Sequence, residues 1–316
     1  MNRSPLVVIV KWTPMDGLGQ EFCRRIEEES LRVLILLTND DGIYAPGLAA
    51  IQRELSRLGD VSVVAPATEQ SGVGHSITYL KPLVVNEVFD GDRPWGWMVE
   101  GSPADCVRIG IAQLCPGRPD LVVSGINGGL NAGINVLYSG TVAAAIEGAF
   151  FGITSVAVSL QFDEHPRFGQ AAQLAREIIQ HVLEQKRPEP QLYNVNIPTA
   201  ALTGTPRVKT VPMDVVHYGE RFERRIDPWG RAYYWATGEP PPPRSRHETD
   251  LTALAEGCVT VTPLDYNMTR KAALAEMQQW QFRLDGAERG VEEPPQHAVR
   301  RPVVKTATKA LKIVSD

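Results

Sequence analysis

Cysteine is scarce in this chain of 316 residues: four occur, at Cys23, Cys106, Cys115 and Cys258, with no CxxC pair and no zinc-type spacing. A disulfide-stapled scaffold and a cysteine zinc ribbon are excluded, and the pattern fits reduced, buried thiols in a cytoplasmic protein. Long apolar runs are missing too. None approaches the roughly 20 residues of a membrane span, and residues 6–10 are short and lack the small-residue cleavage site of a secretory signal. Positive charge is not in excess, since 32 Lys and Arg face 37 Asp and Glu for a net charge of -5. A binder of nucleic-acid polymers needs concentrated positive charge, so that class is set aside, while one nucleotide in a local pocket is not. There is no P-loop, no GxSxG elbow and no internal repeat, and the glycines at 72 and 74 begin a GxGxxG that Ile77 breaks. The run Asn39-Asp40-Asp41-Gly42 lacks the alternating ligands and terminal Glu of an EF-hand loop.

What is present is an alternation of strand and helix. Residues 31–37 form a near-continuous apolar run, as a strand covered on both faces requires. A turn at 38–42 follows, then a helix over 46–58 with Leu48, Ile51, Leu55 and Leu58 on one face. Further strands are expected at 61–66, 120–125 and 156–160, hairpin material at 77–105, and helices at 104–114, 141–151 and 169–184. This repetition predicts an α/β fold, a Rossmann-like doubly wound and mostly parallel sheet. Short strand-like pieces at 208–216, 231–236 and 258–263, a proline cluster at 240–243 and a helix at 268–284 predict a smaller C-terminal arm of hairpin and helix. The organisation is therefore read as an N-terminal extension at 1–30, a Rossmann-like core at 31–185, a smaller hairpin-and-helix region at 186–284 and a tail at 285–316, with a short basic helix at 303–314.

Ligands in such sheets bind beyond the carboxyl ends of the strands. The first strand ends in Asp40-Asp41, the second leads to Ser71-Gly72, and the third to Asn127. Two carboxylates with a hydroxyl and an amide oxygen form an all-oxygen set suited to Mg²⁺ or Mn²⁺. Alternatively, both aspartates are turn and N-cap residues; repulsion between adjacent carboxylates calls for a counter-charge and favours the cation. Ser139-Gly140-Thr141 opens the next helix, either as a plain N-cap or as an anion site with free N–H groups and hydroxyls. A cation beside an anion cradle suggests metal-assisted phosphoester hydrolysis, with Asn39, Ser139 and Thr141 on phosphate oxygens. His75, in the loop after the second strand, reads either as an aid to proton transfer or as a solvated, substrate-contacting residue.

Several motifs in order carry a family resemblance. They are Thr38-Asn39-Asp40-Asp41-Gly42-Ile43, Gln70-Ser71-Gly72, Gly101-Ser102-Pro103-Ala104-Asp105-Cys106-Val107, Val123-Ser124-Gly125-Ile126-Asn127-Gly128-Gly129, and Tyr138-Ser139-Gly140-Thr141 with the alanines after it. Tyr193-Asn194-Val195-Asn196-Ile197-Pro198, Asp227-Pro228-Trp229-Gly230-Arg231 and Val259-Thr260-Val261-Thr262-Pro263-Leu264 continue the series. Over about residues 31–270 the chain resembles the SurE (survival protein E) family of 5'/3'-nucleotidases. The resemblance implies a Rossmann-like core with a C-terminal part exchanged between subunits of a homodimer or homotetramer. It implies a hydrolase of nucleoside monophosphates that uses one divalent cation per subunit. The implied metal ligands are Asp40, Asp41, Ser71 and Asn127, with Asn39 beside the metal; the implied phosphate site is Ser139, Gly140 and Thr141. A broader phosphatase (3'-nucleotidase or exopolyphosphatase) at the same site and a non-catalytic nucleotide-binding regulator remain alternatives.

Overall fold

The computed structural model describes residues 33–185, 187, 189–216, 221–237 and 247–282. The extension at 1–30, the start of the first strand at 31–32, the proline cluster at 240–243 and the tail from 285, with the helix expected at 303–314, lie outside the described residues.

The chain opens with β1 (Val33–Thr38), α1 (Pro46–Leu55) and β2 (Gly59–Pro66). Pro46 stands at the start of α1, where its fixed φ suits the first turn and its missing N–H removes nothing. The helix stops at Leu55, short of the expected Leu58, because a turn over 56–58 must deliver Gly59 against β1; a Cβ there would lie 1.9 Å from the Val33 carbonyl oxygen. Next come β3 (Val85–Asp90) and β4 (Arg93–Val99), a hairpin shorter than the 77–105 span expected. The helix expected at 104–114 is α2 (Pro103–Ile109), continued by a π-helical turn, Gly110–Leu114. Ser102 and Asp105 form its capping box, and the Asp105 carboxylate also accepts the Thr78 N–H, so this motif anchors the preceding loop.

The second half of the core is β5 (Leu121–Gly128), α3 (Gly140–Phe150), β6 (Thr154–Leu160), α4 (Phe168–Glu184) and β7 (Leu192–Ile197). Beyond it lie β8 (Val208–Thr210), β9 (Arg221–Ile226), β10 (Ala232–Thr237), α5 (Asp250–Ala255) and β11 (Val259–Pro263). Among the described residues nine strands form one sheet in the order β3-β4-β2-β1-β5-β6-β7-β11-β8. The pairings from β4 through β7 are parallel; β3 is antiparallel to β4, and β11 antiparallel to β7. This is the mostly parallel, doubly wound sheet expected, but it continues past residue 185, because β7, β8 and β11 belong to it. No long helix separates those strands as in the core, only a short 3-10 turn, an exposed hairpin and a six-residue helix, so local pattern does not show their membership.

Both faces are covered. Leu48, Ile51 and Leu55 of α1 and Ala171, Ala175 and Ile179 of α4 pack with Ile35, Leu37, Val123 and Val158 on one face. Cys106 and Val107 of α2 and Ala144 of α3 meet Leu36, Val64 and Val122 on the other. Each fully buried aliphatic chain contributes about 1.5–3 kcal/mol. β9 and β10 pair with each other as a separate two-stranded sheet, nearly all of it exposed. A second compact unit starts at Asn267; its described part holds α6 (Lys271–Met277), shorter than the helix expected over 268–284, with no buried residue.

Candidate active site at the carboxyl edge of the sheet

The strand order reverses at β1. The chain moves from β1 to β2 on one side and returns to place β5 on the other. Ligands in open parallel sheets bind outside the carboxyl ends of the strands at such a switch, and the acidic pair stands just past the end of β1.

Asp40 is buried, at 4% exposure, and its carboxylate faces the first turn of α3. Thr141 donates its backbone N–H to Asp40 Oδ2 at 3.0 Å and its hydroxyl to Asp40 Oδ1. The approach is close enough to require glycine at 140, where a Cβ would sit 2.9 Å from Asp40 Cβ. A carboxylate at a helix N-terminus gains from the dipole and from orphan N–H groups. Asp41 is partly exposed and accepts the Gly128 N–H at 3.2 Å. Burial lifts the Asp40 carboxyl above the ordinary carboxylate range, against the Thr141 bonds, and the charge of Glu69 adds to the rise. Asp41 is pushed up to about 6, first by burial and then by the charge of Asp40, with Glu69 again adding and the Gly128 N–H opposing. No Arg, Lys or His pairs with either carboxylate among the described residues.

Two backbone bonds bring the other expected ligands to this pair. The Gln70 N–H donates to the Asp40 carbonyl at 2.8 Å, which places Ser71 beside it. The bond from Gly128 to Asp41 places Asn127, one residue earlier, on the other side. Asn127 Nδ2 donates to the Gly129 carbonyl at 2.6 Å, so its amide oxygen is the atom left to accept a ligand. Ser71 Oγ donates to Glu69 Oε1 at 2.6 Å, leaving lone pairs on the hydroxyl oxygen. Glu69 was not among the residues expected from the sequence. Its position two residues before Ser71, in the loop after β2, was the available signal.

The remaining expected residues have definite places. Asn39 is fully buried and donates Nδ2 to the Gly42 carbonyl at 2.9 Å, bracing the turn that carries both aspartates; its buried Oδ1 has no partner among the described residues. Ser139 is the N-cap of α3, accepting the Val142 N–H at 3.1 Å. Thr141 turns its hydroxyl to Asp40. Gly72 and Gly74 have φ of 70° and 58°, which favours glycine at both turns of the loop. His75 is paired with Glu147 of α3 at 2.7 Å and stacked on Phe150. Arg108 of α2 comes within 3.8 Å of the same glutamate. With the Gly74 N–H bonded to the Tyr138 carbonyl, His75 straps the Ser71 loop to α3.

A family model described as "Survival protein SurE" matches residues 35–221. Among curated relatives, a protein of Rhodopirellula baltica named "5'-nucleotidase SurE" is 57% identical over 250 residues, covering 79% of this chain and 99% of its own. Proteins of the same name from Desulforudis audaxviator and Syntrophus aciditrophicus are 41% and 42% identical, covering 78% and 76% of this chain and 96% and 90% of theirs. The crystal structure of the SurE protein from Aquifex aeolicus superposes with a TM-score of 0.69 at 38% identity, over 78% of this chain and 98% of that one. Shared sequence over nearly the whole length of these relatives, and a shared fold, place the chain in the SurE family.

Proposed function

We propose that this protein is a 5'-nucleotidase: it hydrolyses nucleoside monophosphates to nucleoside and phosphate, with a divalent cation held by Asp40, Asp41, Ser71 and Asn127. The relatives' shared name supports the activity. The observation that carries the site is the pair of neighbouring carboxylates, both raised and neither paired with a cationic side chain among the described residues. The donors fit a hard cation, since all are oxygens and only two are carboxylates, which suits Mg²⁺ or Mn²⁺ better than Zn²⁺. When bound, that ion neutralises phosphoryl charge and lowers the pKa of an attacking water.

The chain's own residues do the rest. Asp40 is held by Thr141 and Asp41 by Gly128, so both carboxylates are oriented before any ligand arrives. The start of α3 offers phosphate the Gly140 N–H and the Ser139 hydroxyl proton, at the positive end of the helix. Asn39 serves as the brace of the Asp40 turn. The protein acts as a homodimer or homotetramer, supported by the aromatic β9–β10 hairpin, an oligomerisation arm within 186–284. No helix among the described residues is long and apolar enough to cross a membrane, and a cytoplasmic location fits the reduced thiols.

The test is a substrate panel of AMP, GMP, 3'-AMP and short polyphosphate, run with Mg²⁺, Mn²⁺ and excess chelator. Metal-dependent release of phosphate, highest on 5'-monophosphates, is the expected result. Undiminished release in chelator, or tight nucleotide binding with no turnover at any metal, overturns it.

A further inference from the structure

The segment around β7 carries two asparagines that the chemistry above does not use. Asn194 and Asn196 sit two apart on one face of the strand and are fully buried. Amides in such a place are unfavourable unless they are paired. Both donate Nδ2 to one acceptor, the backbone carbonyl of Asn131, at 2.7 and 3.0 Å. Asn196 Oδ1 also accepts the Asn131 backbone N–H at 2.8 Å. Asn196 therefore grips both backbone polar groups of a single residue, as a neighbouring strand would.

Asn131 lies between the candidate metal ligand Asn127 and the helix start at 139–141. Its side chain continues the chain of bonds. Nδ2 donates to Ser159 Oγ on β6 at 2.9 Å and, at a longer 3.4 Å, to Thr141 Oγ1. The Thr141 hydroxyl, accepting there, donates its own proton to Asp40. Each bond has a fixed direction, and the series runs unbroken from β7 to the buried aspartate. Every side chain in it is buried, where such bonds are stronger than in water and reinforce one another.

We infer that Asn194 and Asn196 are positioning residues, which clamp the Asn131 peptide and thereby orient the Thr141 hydroxyl onto Asp40. Neither touches substrate or metal; both act through Asn131 and Thr141. The inference rests on the proposed nucleotidase site and adds to it the strand β7, which supplies none of the expected ligands.

The experiment compares Asn196→Ala and the milder Asn194→Ala in the full chain, each alone and combined with Thr141→Ala. Three quantities are read: affinity for Mn²⁺ alone by calorimetry, kcat and KM for AMP, and amide hydrogen exchange at Asn131 and Thr141. Outer partners of metal ligands change affinity or activity by roughly 10- to 100-fold, so Asn196→Ala is expected to weaken Mn²⁺ binding about 10-fold. It lowers kcat more than it raises KM and speeds exchange at both amides. Asn194→Ala does the same to a smaller degree. In the Thr141→Ala background neither substitution has a further effect on Mn²⁺ binding, because residues acting as one unit are not additive. Unchanged Mn²⁺ affinity in a folded Asn196→Ala, or the same fold-loss with and without the Thr141 hydroxyl, overturns the inference. If Asn196→Ala does not fold, Asn194→Ala decides by the same criteria. A wild-type chain that releases no phosphate defeats the nucleotidase reading instead, and leaves the Mn²⁺ and exchange readouts to judge the clamp.

Discussion

The carboxyl edge of the sheet and the β9–β10 hairpin break the usual rules of burial in opposite ways. At the edge, charge is taken inside: Asp40 is buried, Asp41 is pushed up to about 6, and Glu69 adds a third negative charge with no cation paired to the two aspartates among the described residues. In the hairpin, apolar surface is left outside: Phe222, Ile226, Trp229, Tyr233, Tyr234 and Trp235 are all exposed, Trp229 at 79%. An isolated two-stranded hairpin is marginal in water, and exposed apolar surface of this kind suits the oligomerisation role proposed for it. The nature of each breach names its remedy. Buried anions are relieved by a cation, exposed aromatics by a second protein surface.

The largest expected effect comes from breaking the first region. Asp41→Asn removes one carboxylate of the pair, and metal-dependent phosphate release should fall on the order of 10³-fold, the several kcal/mol that a metal contributes. Steady-state assays across Mn²⁺ concentrations check this; a loss that excess Mn²⁺ fully restores would show Asp41 to be replaceable. The same substitution should sharpen the contrast by helping the metal-free fold. A carboxylate raised from 3.8 to about 6 binds its proton more tightly folded than unfolded, so its contribution is complete below pH 3.8 and is lost as pH rises through about 6. Asp41→Asn should therefore stabilise the chelator-treated protein at pH 7 by on the order of 1 kcal/mol after solvent screening, and make no difference at pH 3.5. Urea midpoints at the two pH values decide it.

Breaking the second region should alter assembly and spare the edge. Replacing Trp229 and Trp235 together by Ser is expected to shift the protein to smaller species in light scattering while leaving the Mn²⁺ affinity of each subunit within about 2-fold. An unchanged mass assigns the hairpin another role. The smallest effect belongs to His75→Ala. It leaves Glu147 near Arg108 alone and loosens the strap on the Ser71 loop, which should destabilise the fold by about 1 kcal/mol. Mn²⁺ affinity should fall only a few-fold, whereas a collapse of kcat with the fold intact would return His75 to proton transfer.

The edge was far more legible in the sequence than the hairpin. A strand buried on both faces, such as β1, has to be an apolar run, and a turn after it has to carry polar residues, so 33–41 announces the strand and the turn at which the site is proposed. β9 reads Arg-Phe-Glu-Arg-Arg-Ile, exposed along its whole length, and without a core to face it shows no alternation that a strand would impose. Pairing over long separations was equally hidden: β4 lies parallel to β2, and β11 antiparallel to β7, for reasons of the whole sheet. Within the site, residue types that suit metal or phosphate stood out, whereas those that hold other residues did not. Glu69, Asn131, Asn194 and Asn196 look like ordinary polar positions until their partners are known. His75 shows the converse, a residue whose chemistry allowed either proton transfer or a solvated, substrate-contacting place and whose partner, 72 residues away, is a glutamate on α3.

The proposed oxygen donors come from the ends of β1 and β5 and from the loop after β2, and Asp40 depends on a threonine 101 residues further along the chain. No unfolded segment can present that set. A cation that fits it therefore binds the closed sheet and not the open chain, and the metal becomes a ligand of the fold itself. At 100 times its dissociation constant such an ion adds about 2.7 kcal/mol to stability. The thermal midpoint should then climb with the logarithm of metal concentration, so that a melting curve doubles as a binding isotherm.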